Sequence, residues 1–493
     1  MSGVTLDPSA IGVGGGPAAS EPAFEARGID YIPHSERRGK PLDLTWMWAG
    51  ALFNVEYVVY GALLITFGLT FWQVALIIAI GNLSYIVAGL GSLQGPAAGT
   101  SAFAISRASF GPNGARGVSL FNWITQVGYE TEGLALIVLA GLALADKAGV
   151  HSSTGLKVGL IVVAAFLQLF LPLMGHGTML RILRYLALPF IGLFIVLAIL
   201  ALPKAHLGAG TNGSWQTMFV GLALILSAGG YGWVMNANDY SRYLPTTASK
   251  KKIVWSVAIG GYVPSTLLGL LGAAVATAVP SASDPIAGLP HAFSAWFLVP
   301  YLIFIIIQLF AINSIDLYSS GLTLQAIMPK IKRWQCVILD TTVAGALTAV
   351  AIFSSGFNTF LTDFLLFMII WIAPWVAIFL VDWFMRRGTY DSRSLLSGRA
   401  GIYWRKGGIH VPGVVAQIVG MLAAASFLNT TVWQGPLVGA SSPGPAADGA
   451  DFSVFMGALF AGVVYYILAR KTVPKEAGST EEPTAASVTA STI

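Results

Sequence analysis

Two glycine-containing stretches, WMWAGALFNVEY (residues 46–57) and SAGGYGWVMNAND (residues 227–239), lie inside long apolar runs of this chain. Each one places glycine beside amide and carboxyl side chains at a depth where lipid offers no hydrogen-bond partner. Irregular backbone at membrane depth is tolerated only where it faces protein or a cavity. Interrupted helices at corresponding positions of two halves are typical of a transporter's binding site. The two stretches therefore predict a membrane protein that moves a solute.

The surrounding chain contains twelve apolar runs, each close to the ~20 residues that a helix needs to cross the hydrocarbon core. The interrupted stretches fall in the first and sixth runs, five helices apart. This spacing predicts an all-α integral membrane protein with two five-helix repeats of inverted topology, residues 44–202 and 215–384, and two additional helices in residues 412–470. The twelve predicted spans are 44–68, 72–93, 118–144, 156–174, 182–202, 215–237, 253–279, 294–327, 335–355, 359–384, 412–430 and 452–470.

The composition excludes a soluble protein and an intrachain disulfide. Hydrophobic residues make up 55% of the chain and charged residues only 10%, whereas soluble domains carry about 25% charged residues. The lone cysteine, Cys336, has no partner for a disulfide within the chain. Residues 1–43 lack the apolar core of a cleaved signal peptide, so we expect a cytoplasmic N-terminal tail. Residues 471–493 have too little apolar surface to fold, so we expect a disordered cytoplasmic tail.

The positions of the basic residues predict the orientation. With the N-terminus placed inside, only Lys147, Lys157 and Lys204 of the 27 Lys and Arg residues fall in outside segments. Basic residues concentrate in cytoplasmic loops of membrane proteins. We therefore expect a multi-pass protein of the plasma membrane with both termini in the cytoplasm. The net charge of +5 then reflects contact with the lipid bilayer and its surfaces, so no nucleic acid partner is expected. The oligomeric state stays open.

Acidic residues inside the predicted spans indicate a cation path. Glu56, Glu130, Glu132 and Asp316 lie within spans one, three and eight, where an acid costs about 2.5–3.5 kcal/mol on insertion scales. Glu130 and Glu132 point about 200° apart on a helix, so only one of them is expected to face a substrate. Glu132 shares a face with Tyr129 and is the favoured candidate. We predict proton coupling through Glu132, with Asp316 and Glu56 as alternatives.

Three aromatic residues lie near the interrupted stretches: Tyr129, Tyr231 and Trp233. A planar heteroaromatic ring stacks well on such side chains, and stacking contributes about 1–3 kcal/mol per base in single-strand binders. Aromatic residues also form belts at the membrane interface. That alternative is weaker for Trp233, because it follows the Gly-Gly break inside span six.

Across most of residues 25–410 the chain resembles the purine–cytosine permease branch of the nucleobase–cation symporter-1 family. The most specific motif is DYSRYLP (residues 239–245) after span six, supported by the order and spacing of QGP (94–96), FNW (121–123) and WIAPW (371–375). The resemblance implies the leucine-transporter-type inverted-repeat fold, alternating access and cation-coupled uptake.

The resemblance also implies substrate-binding residues. In this family an aromatic on helix three and one on helix six enclose a planar ring, and these positions fall on Tyr129 and Trp233. A polar position one turn further along helix three falls on Gly133, so the polar contact is expected to have moved, with Glu132 beside it. The helix-eight position falls near Ser320. The predicted substrate-binding set is Tyr129, Glu132, Gly133, Trp233, Tyr231, Asn54, Ser320 and Gly230.

The cation site departs from the family pattern. Sodium-coupled relatives use backbone carbonyls of helix one with a Ser-Thr pair on helix eight, whereas here Ser314 is followed by Ile315. The missing hydroxyl favours a proton over sodium, although backbone groups near Gly50 and Phe53 could still complete a weak sodium site with Ser314. No cofactor is expected, and no metal site is firmly predicted.

These observations predict a secondary active importer, by alternating access, of a nucleobase such as cytosine or a purine. The alternative within transport is a symporter of another planar heterocycle, such as allantoin, hydantoin or a vitamin like thiamine, with sodium as the alternative coupling ion. An enzyme is disfavoured because the sequence shows no nucleophile–base motif, metal-ligand cluster or phosphate loop. A channel is disfavoured because pores are usually lined by rings of like residues.

Overall fold

The computed structural model describes residues 29–169, 176–208, 212–279, 293–328, 330–353, 356–438 and 449–478. Within these ranges the regular structure is helical, apart from one isolated antiparallel bridge between Asn429 and Gln434. In chain order the α-helices are α1 Pro41–Leu52, α2 Val55–Thr66, α3 Phe71–Gly81, α4 Tyr85–Gly91, α5 Gln94–Ala98, α6 Ala102–Ile105, α7 Arg107–Phe110, α8 Gly114–Lys147, α9 Thr154–Gln168, α10 His176–Ala201, α11 Trp215–Leu226, α12 Ala237–Ser241, α13 Lys250–Ala278, α14 Ala295–Ile327, α15 Arg333–Phe353, α16 Phe357–Met385, α17 Ser392–Leu396, α18 Val411–Ser426, α19 Ser453–Ala469 and α20 Val473–Gly478.

Hydroxyl side chains fix where several of these helices begin. Thr70 caps α3 in a capping box with Gln73, which satisfies two backbone donors at that terminus. Ser153, Ser214 and Ser249 cap α9, α11 and α13, each accepting a backbone N–H from the first turn. These caps allow long apolar segments to start as helices next to polar loops.

The lengths and hydropathies confirm an all-α membrane protein. Among the described residues, eight helical segments are long and apolar enough to cross a membrane, and α1 with α2 forms a ninth span bent by 57°. Three shorter apolar helices, Thr154–Gln168, Leu188–Lys204 and Ser453–Ala469, lie at predicted spans four, five and twelve. The total of twelve spans, the two repeats and the additional pair in residues 412–470 remain predictions.

The centre of the molecule lies where α8 packs along α14, the third spans of the two predicted repeats. Both halves of span one, α1 and α2, pack against α13, while α18 and α19 pack against each other and against α16. Gln308 of α14 bonds to the break in span one and Tyr129 of α8 bonds to the irregular turn of span six, so both interrupted stretches lie beside the α8–α14 contact. This arrangement places the predicted site residues of four spans in the same interior region.

Glycines bring α13 into backbone contact with both halves of span one. A Cβ added to Gly61 of α2 would lie 1.9 Å from the carbonyl oxygen of Gly269, and one added to Gly272 would lie 1.9 Å from that of Val58. A Cβ on Gly260 would lie 2.7 Å from the carbonyl oxygen of Thr45 in α1. Small residues allow such close approach between membrane helices, so these positions accept only glycine.

Part of the predicted N-terminal tail is packed against the protein. The buried guanidinium of Arg37 donates to the carbonyl oxygens of Ile32 at 2.8 Å and Pro96 at 2.6 Å. The N–H of Ile32 donates to Gly99 at 2.9 Å. Residues 29–43 of the predicted tail are therefore packed against the protein, partly because Pro96 in α5 supplies an acceptor for Arg37. Residues 1–28 lie outside the described part of the chain.

The predicted disordered tail of residues 471–493 also begins with structure. Helix α20, Val473–Gly478, carries Glu476, which pairs with Arg386 at 3.2 Å and with Arg405 at 2.5 Å. Tail composition alone does not show these distant cationic partners, which is why the sequence indicated disorder here. Residues 479–493 lie outside the described residues.

Candidate functional site

The first break separates α1 from α2 at Phe53 and Asn54. Asn54 has extended backbone angles and caps α2, because its Oδ1 accepts the N–H of Glu56 at 2.6 Å. Its Nδ2 donates to the carboxyl Oε2 of Glu56 at 2.9 Å. The predicted interruption of span one is thus confirmed. Asn54 and Glu56 form one hydrogen-bonded unit at the start of α2.

A glutamine from α14 satisfies the backbone groups that this break exposes. The Nε2 of Gln308 donates to the carbonyl oxygen of Phe53, and its Oε1 accepts the N–H of Val55 at 3.2 Å. Lipid could not replace either bond, and each unsatisfied backbone group costs several kcal/mol in hydrocarbon. The sequence analysis missed Gln308, although an amide in the apolar run of span eight was a usable signal.

The second break interrupts span six after α11. Ser227–Tyr231 form a π-helical turn, within which Gly229 has non-helical angles of φ −94° and ψ −138°. A short 3₁₀ turn at Val234–Asn236 precedes α12. The N–H of Gly230 donates to the Oγ of Ser84 at 2.9 Å, and a Cβ there would lie 2.0 Å from a backbone atom of Ser84. The predicted irregularity of span six is confirmed, and Gly230 contacts the turn between α3 and α4.

A chain of side-chain hydrogen bonds joins the two breaks. The Nε1 of Trp233 donates to the hydroxyl of Tyr57 at 3.1 Å, and the hydroxyls of Tyr57 and Tyr85 are 2.6 Å apart. The Tyr57 hydroxyl also reaches the carbonyl oxygen of Ala228 at 3.4 Å. Tyr57, which the sequence analysis did not select, therefore connects α2 to the irregular turn of span six.

Tyr129 of α8 lies against the same turn. Its hydroxyl donates to the carbonyl oxygen of Ser227 at 3.5 Å, and a Cβ on Gly232 would lie 2.8 Å from that hydroxyl. The Tyr129 ring meets Phe364 edge to face at 5.3 Å, whereas the Trp233 ring meets Trp48 at 5.6 Å. Both predicted stacking residues thus lie at the second break, with their rings packed on different partners.

Three carboxyl groups from different spans converge near Tyr129. Glu56, Glu132 and Asp316 all lie within electrostatic range of Tyr129, and all three are buried, Glu132 completely. Neither carboxyl oxygen of Glu132 has a hydrogen-bond partner, although the Tyr60 hydroxyl lies nearby. The charged groups that act on Glu132 are the other two acids. Like charges repel strongly in a low-dielectric interior, so this trio requires a proton or another cation to balance it.

The space at Gly133, where the resemblance placed a polar contact, is filled from α14. A Cβ on Gly133 would lie 2.0 Å from the Oδ1 of Asn313, so the amide occupies the space that a side chain would fill. The Asn313 Nδ2 donates at 3.2 Å both to the carbonyl oxygen of Glu130 and to Gln168. The Oδ1 is buried without a partner. Asn313 is therefore a further candidate that the sequence analysis missed.

Other predicted residues have different neighbours. The Ser320 hydroxyl donates to Asp340 at 2.7 Å, so it points to α15 rather than to the two breaks. The Ser314 hydroxyl donates to the carbonyl oxygen of Ala311 in its own helix at 2.6 Å. A Cβ on Gly50 would meet nothing within 4 Å. Tyr231 is half-buried in the irregular turn.

Two cavities are prominent, and both lie away from these residues. One of ≈ 660 Å³ is lined by α1 and α13 residues including Leu42 and Trp255. The other, of ≈ 450 Å³, lies among Phe67, Thr362 and Thr431. The central residues are enclosed by the protein instead. Within the described part of the chain, no group of three His, Cys, Asp or Glu residues is placed to hold a metal ion.

Comparisons with known proteins agree with this geometry. A family model described as "Permease for cytosine/purines, uracil, thiamine, allantoin" matches residues 31–457. The putative purine-cytosine permease YxlA of Bacillus subtilis is 29% identical over 482 residues, covering 93% of this chain and 98% of that protein. Purine-cytosine permease FCY21 of Saccharomyces cerevisiae is 26% identical, covering 90% of this chain and 85% of that protein.

Solved structures show the same fold. MHP1, a nucleobase-cation-symport-1 family transporter in a closed conformation with bromovinylhydantoin bound, superposes with a TM-score of 0.73 at 18% identity. That match covers 91% of this chain and 96% of the other. The inward-facing conformation of Mhp1 gives a TM-score of 0.71 at 16% identity, covering 94% and 100% of the two chains. The chain is thus a multi-pass membrane transporter of the leucine-transporter-type fold, not an enzyme, and it belongs to the purine–cytosine branch of the nucleobase–cation symporter-1 family.

Proposed function

We propose that this protein is a proton-coupled importer of a nucleobase, cytosine or a purine, that works by alternating access. The observation that carries the proposal is the convergence of Glu56, Glu132 and Asp316 beside two broken helices and the aromatic residues Tyr129 and Trp233. The acids supply a site for a cation, and the aromatic residues supply faces for a flat ring. Both sites share one buried region, which is what coupling of two solutes requires.

The substrate class follows from the stacking faces and from the relatives. Tyr129 and Trp233 would enclose the ring, and the edges of the ring would meet Asn54, Asn313 and Glu132. The Asn313 Oδ1 and both Glu132 oxygens lack partners. With a proton on one Glu132 oxygen, the other Glu132 oxygen and the Asn313 Oδ1 are acceptors available to ring N–H and exocyclic amino groups. Cytosine and the aminopurines carry such donors. The curated relatives are named purine-cytosine permeases, which supports the same class.

The proton is the better-supported coupling ion. Of the oxygen groups that would form the predicted sodium site, the Phe53 carbonyl already accepts a hydrogen bond from Gln308. Ile315, which follows Ser314, has no oxygen in its side chain. The buried acids need only a proton to become neutral. We propose that Glu132 carries it, with both termini of the chain in the cytoplasm and the transporter in the plasma membrane.

A second candidate is the same transport mechanism with another planar heterocycle. MHP1 was solved with a bromovinylhydantoin bound, and the family description includes thiamine and allantoin. The observation that favours this alternative is Gly133, where Asn313 replaces a side chain of α8 and changes the direction of the polar contact. Allantoin and hydantoin carry several carbonyl oxygens beside their N–H groups, so a protonated Glu132 would donate to one of these oxygens.

The experiment that tests the proposal is a binding and uptake series with the purified protein. A ligand raises the unfolding temperature only when it binds the folded state better than the unfolded state. We expect cytosine or a purine to stabilise the protein more than allantoin, hydantoin or thiamine, with no requirement for sodium. In proteoliposomes, an inward pH gradient should drive accumulation, while a sodium gradient should not. Stabilisation by a ureide alone, or accumulation driven by sodium alone, would contradict the proposal.

A further inference from the structure

A second group of buried polar residues lies on the other side of α8 from Glu132. We name it the α15 cluster: Trp123 and Glu130 of α8, Asn313 and Ser320 of α14, and Asp340 of α15. Glu130 points about 200° away from Glu132, so the α8 residues of the cluster face away from Glu132. Asn313 borders both groups, because its Oδ1 lies at Gly133, next to Glu132. Trp123 and Glu130 are seven residues apart and share one face of α8. The proposed function uses neither Glu130 nor Asp340.

Asp340 joins three spans within this cluster. Its Oδ1 accepts from the Nε1 of Trp123 at 2.6 Å, and its Oδ2 accepts from the hydroxyl of Ser320 at 2.7 Å. The residue is completely buried. The two neutral donors fix the orientation of the carboxyl without neutralising it. Asp340 is therefore held in place where α8, α14 and α15 meet.

Glu130 is buried without any side-chain partner. It is 0% exposed, and neither of its carboxyl oxygens makes a hydrogen bond. Asn313 binds the backbone carbonyl of Glu130 through Nδ2, and its own Oδ1, also buried and unpartnered, lies at Gly133, one turn from Glu130. The unpartnered atoms are all acceptors. A buried acceptor without a protein partner requires an explanation, such as a water molecule, an ion or a catalytic role, and here the partner must supply hydrogen or positive charge.

The neighbouring helices place acids close to Glu130. Arg333, at the start of α15, lies seven residues before Asp340, about 10 Å from it along the helix axis. The charged groups that act on Glu130 are Asp340 of α15 and Asp316 of α14. Helix α9 carries a single charged residue, Lys157, whose ammonium lies over the ring of Phe353. On α8 itself, Arg116 and Lys147 lie more than about 20 Å from Glu130 along the axis.

The remaining packed elements hold their charges elsewhere. Arg107 of α7 donates to the carbonyl oxygens of Leu395 and Ala326. On α16, Asp382 pairs with Arg386, and Asp363 accepts from Thr431. Among the described residues, Glu130 thus has no basic neighbour to balance it.

The cluster continues from the central acids along α14. Asp316 lies three residues after Asn313 and four before Ser320, so these three side chains share one face of that helix. Asn313 contacts Glu130, and Ser320 contacts Asp340. Oxygen-bearing side chains on this face of α14 therefore lie between the central trio and α15.

We propose that Glu130 and Asp340 form a second cation site, occupied by a proton, through which the transported proton leaves the substrate-binding centre. Each carboxylate accepts one proton to form a neutral carboxylic acid, and it releases the same proton to the next group or to water. The site lies off the substrate path, so proton and substrate separate before release. This inference rests on the proposed proton coupling and adds the route.

The test compares substrate exchange with uphill uptake in proteoliposomes that contain the full chain. Exchange of labelled for unlabelled cytosine across equal concentrations needs no net proton movement, whereas uphill uptake does. For Glu130→Gln and Asp340→Asn we expect cytosine binding and exchange to stay within about twofold of the unmodified protein. We expect uptake driven by a pH gradient, and cytosine-induced proton flux, to fall by about tenfold or more.

Matched variants separate the proposal from misfolding and from the proposed function. Glu130→Asp keeps a titratable carboxyl and should retain proton flux, and Asp363→Asn removes a carboxyl outside the cluster and should change nothing. Normal uphill uptake and proton flux in both cluster variants would overturn the inference while leaving the proposed function intact. Joint loss of binding and exchange would also overturn it, because the residues would then belong to the substrate site. Sodium-driven uptake without proton flux in the unmodified protein would instead refute the proposed coupling, and the inference with it.

Discussion

The side chain of Gln308 accepts the N–H of Val55 at 3.2 Å and so closes the break in span one from another helix. The same amide donates to the carbonyl of Phe53. One side chain of α14 therefore satisfies both sides of the interruption. The stability of the broken helix therefore depends partly on span eight.

Replacement of Gln308 by leucine should destabilise the protein. The change leaves a carbonyl and an N–H without partners in an apolar interior, at a cost of about 1–3 kcal/mol for each group. We expect a lower unfolding temperature in detergent, measured by thermal denaturation. Gln325→Leu on the same helix is the control, since Gln325 makes only a 3.5 Å bond near the helix end. Equal unfolding temperatures for the two variants would show that the bridge contributes nothing.

Gly230→Ala should destabilise the fold more than a glycine-to-alanine change at a position that has free space around it. The new Cβ would lie 2.0 Å from the backbone of Ser84, which has no flexible end to move aside. Gly117 of α8 has nothing within 4 Å of such an atom, so Gly117→Ala is the matched control. We expect Gly230→Ala to reduce the yield of folded protein in size-exclusion chromatography. A yield equal to that of the control would indicate that the second break tolerates a side chain.

Loss of the Trp233 ring should weaken substrate binding. Stacking contributes about 1–3 kcal/mol per ring, which corresponds to about a 5- to 150-fold rise in Kd. Trp233→Phe keeps a ring but removes the donor to Tyr57, so an intermediate Kd is expected in calorimetric titration. The control is Trp215→Ala, because Trp215 is an exposed residue at the start of α11. Unchanged affinity in Trp233→Ala would remove this residue from the site.

Glu132→Gln should abolish the pH dependence of uptake. The glutamine has nearly the same shape and cannot release a proton, and the carboxyl oxygens that it replaces make no hydrogen bonds. We expect uptake rates that no longer respond to external pH, measured with labelled substrate in proteoliposomes. Asp146→Asn at the end of α8 is the control. A normal pH profile in Glu132→Gln would move the coupling to Asp316 or Glu56.

The two acidic partners of Arg386, Asp382 and Glu476, should contribute differently to the stability of the protein. Asp382 is buried, binds Arg386 at 2.8 Å and accepts from Tyr465 at 2.6 Å, so Asp382→Asn leaves a buried guanidinium poorly balanced, at about 3–5 kcal/mol. Glu476 is partly exposed, and its loss should cost about 1 kcal/mol or less. We expect the unfolding temperature to fall more for the first variant. The reverse order would mean that α20, rather than Asp382, anchors Arg386.

The sequence was sufficient to predict where two helices are broken. It was insufficient to predict which residues bond to the breaks. Glycine and polar residues near Asn54 and Trp233 lie within apolar runs, where lipid offers no hydrogen-bond partner. The interruptions could therefore be predicted from the local sequence alone. Gln308 and Ser84 lie far from the breaks in the chain, and only the packing of whole helices brings them there. Selecting these two residues from the sequence would have required knowledge of which spans pack together in three dimensions.

The same reasoning explains the incomplete prediction of the site. The rule that selected Glu132 and Asp316 applies equally to Asp340, an acid inside span nine that the sequence analysis did not select. Asn313 was missed because a side chain of α14 fills the space that Gly133 leaves on α8. Which neighbour fills a gap is decided by packing, not by the residue that leaves it.

The glycine contacts of α13 restrict how span one can bend. Gly260 contacts the backbone of Thr45 in α1, whereas Gly269 and Gly272 contact the backbone of α2. Pro264 lies between these two contact regions of α13. Proline lacks the N–H that would continue the helical ladder there. As long as these contacts are kept, flexing of span one at Phe53 and Asn54 requires flexing of α13 at Pro264, so the two helices would bend together as a paired hinge.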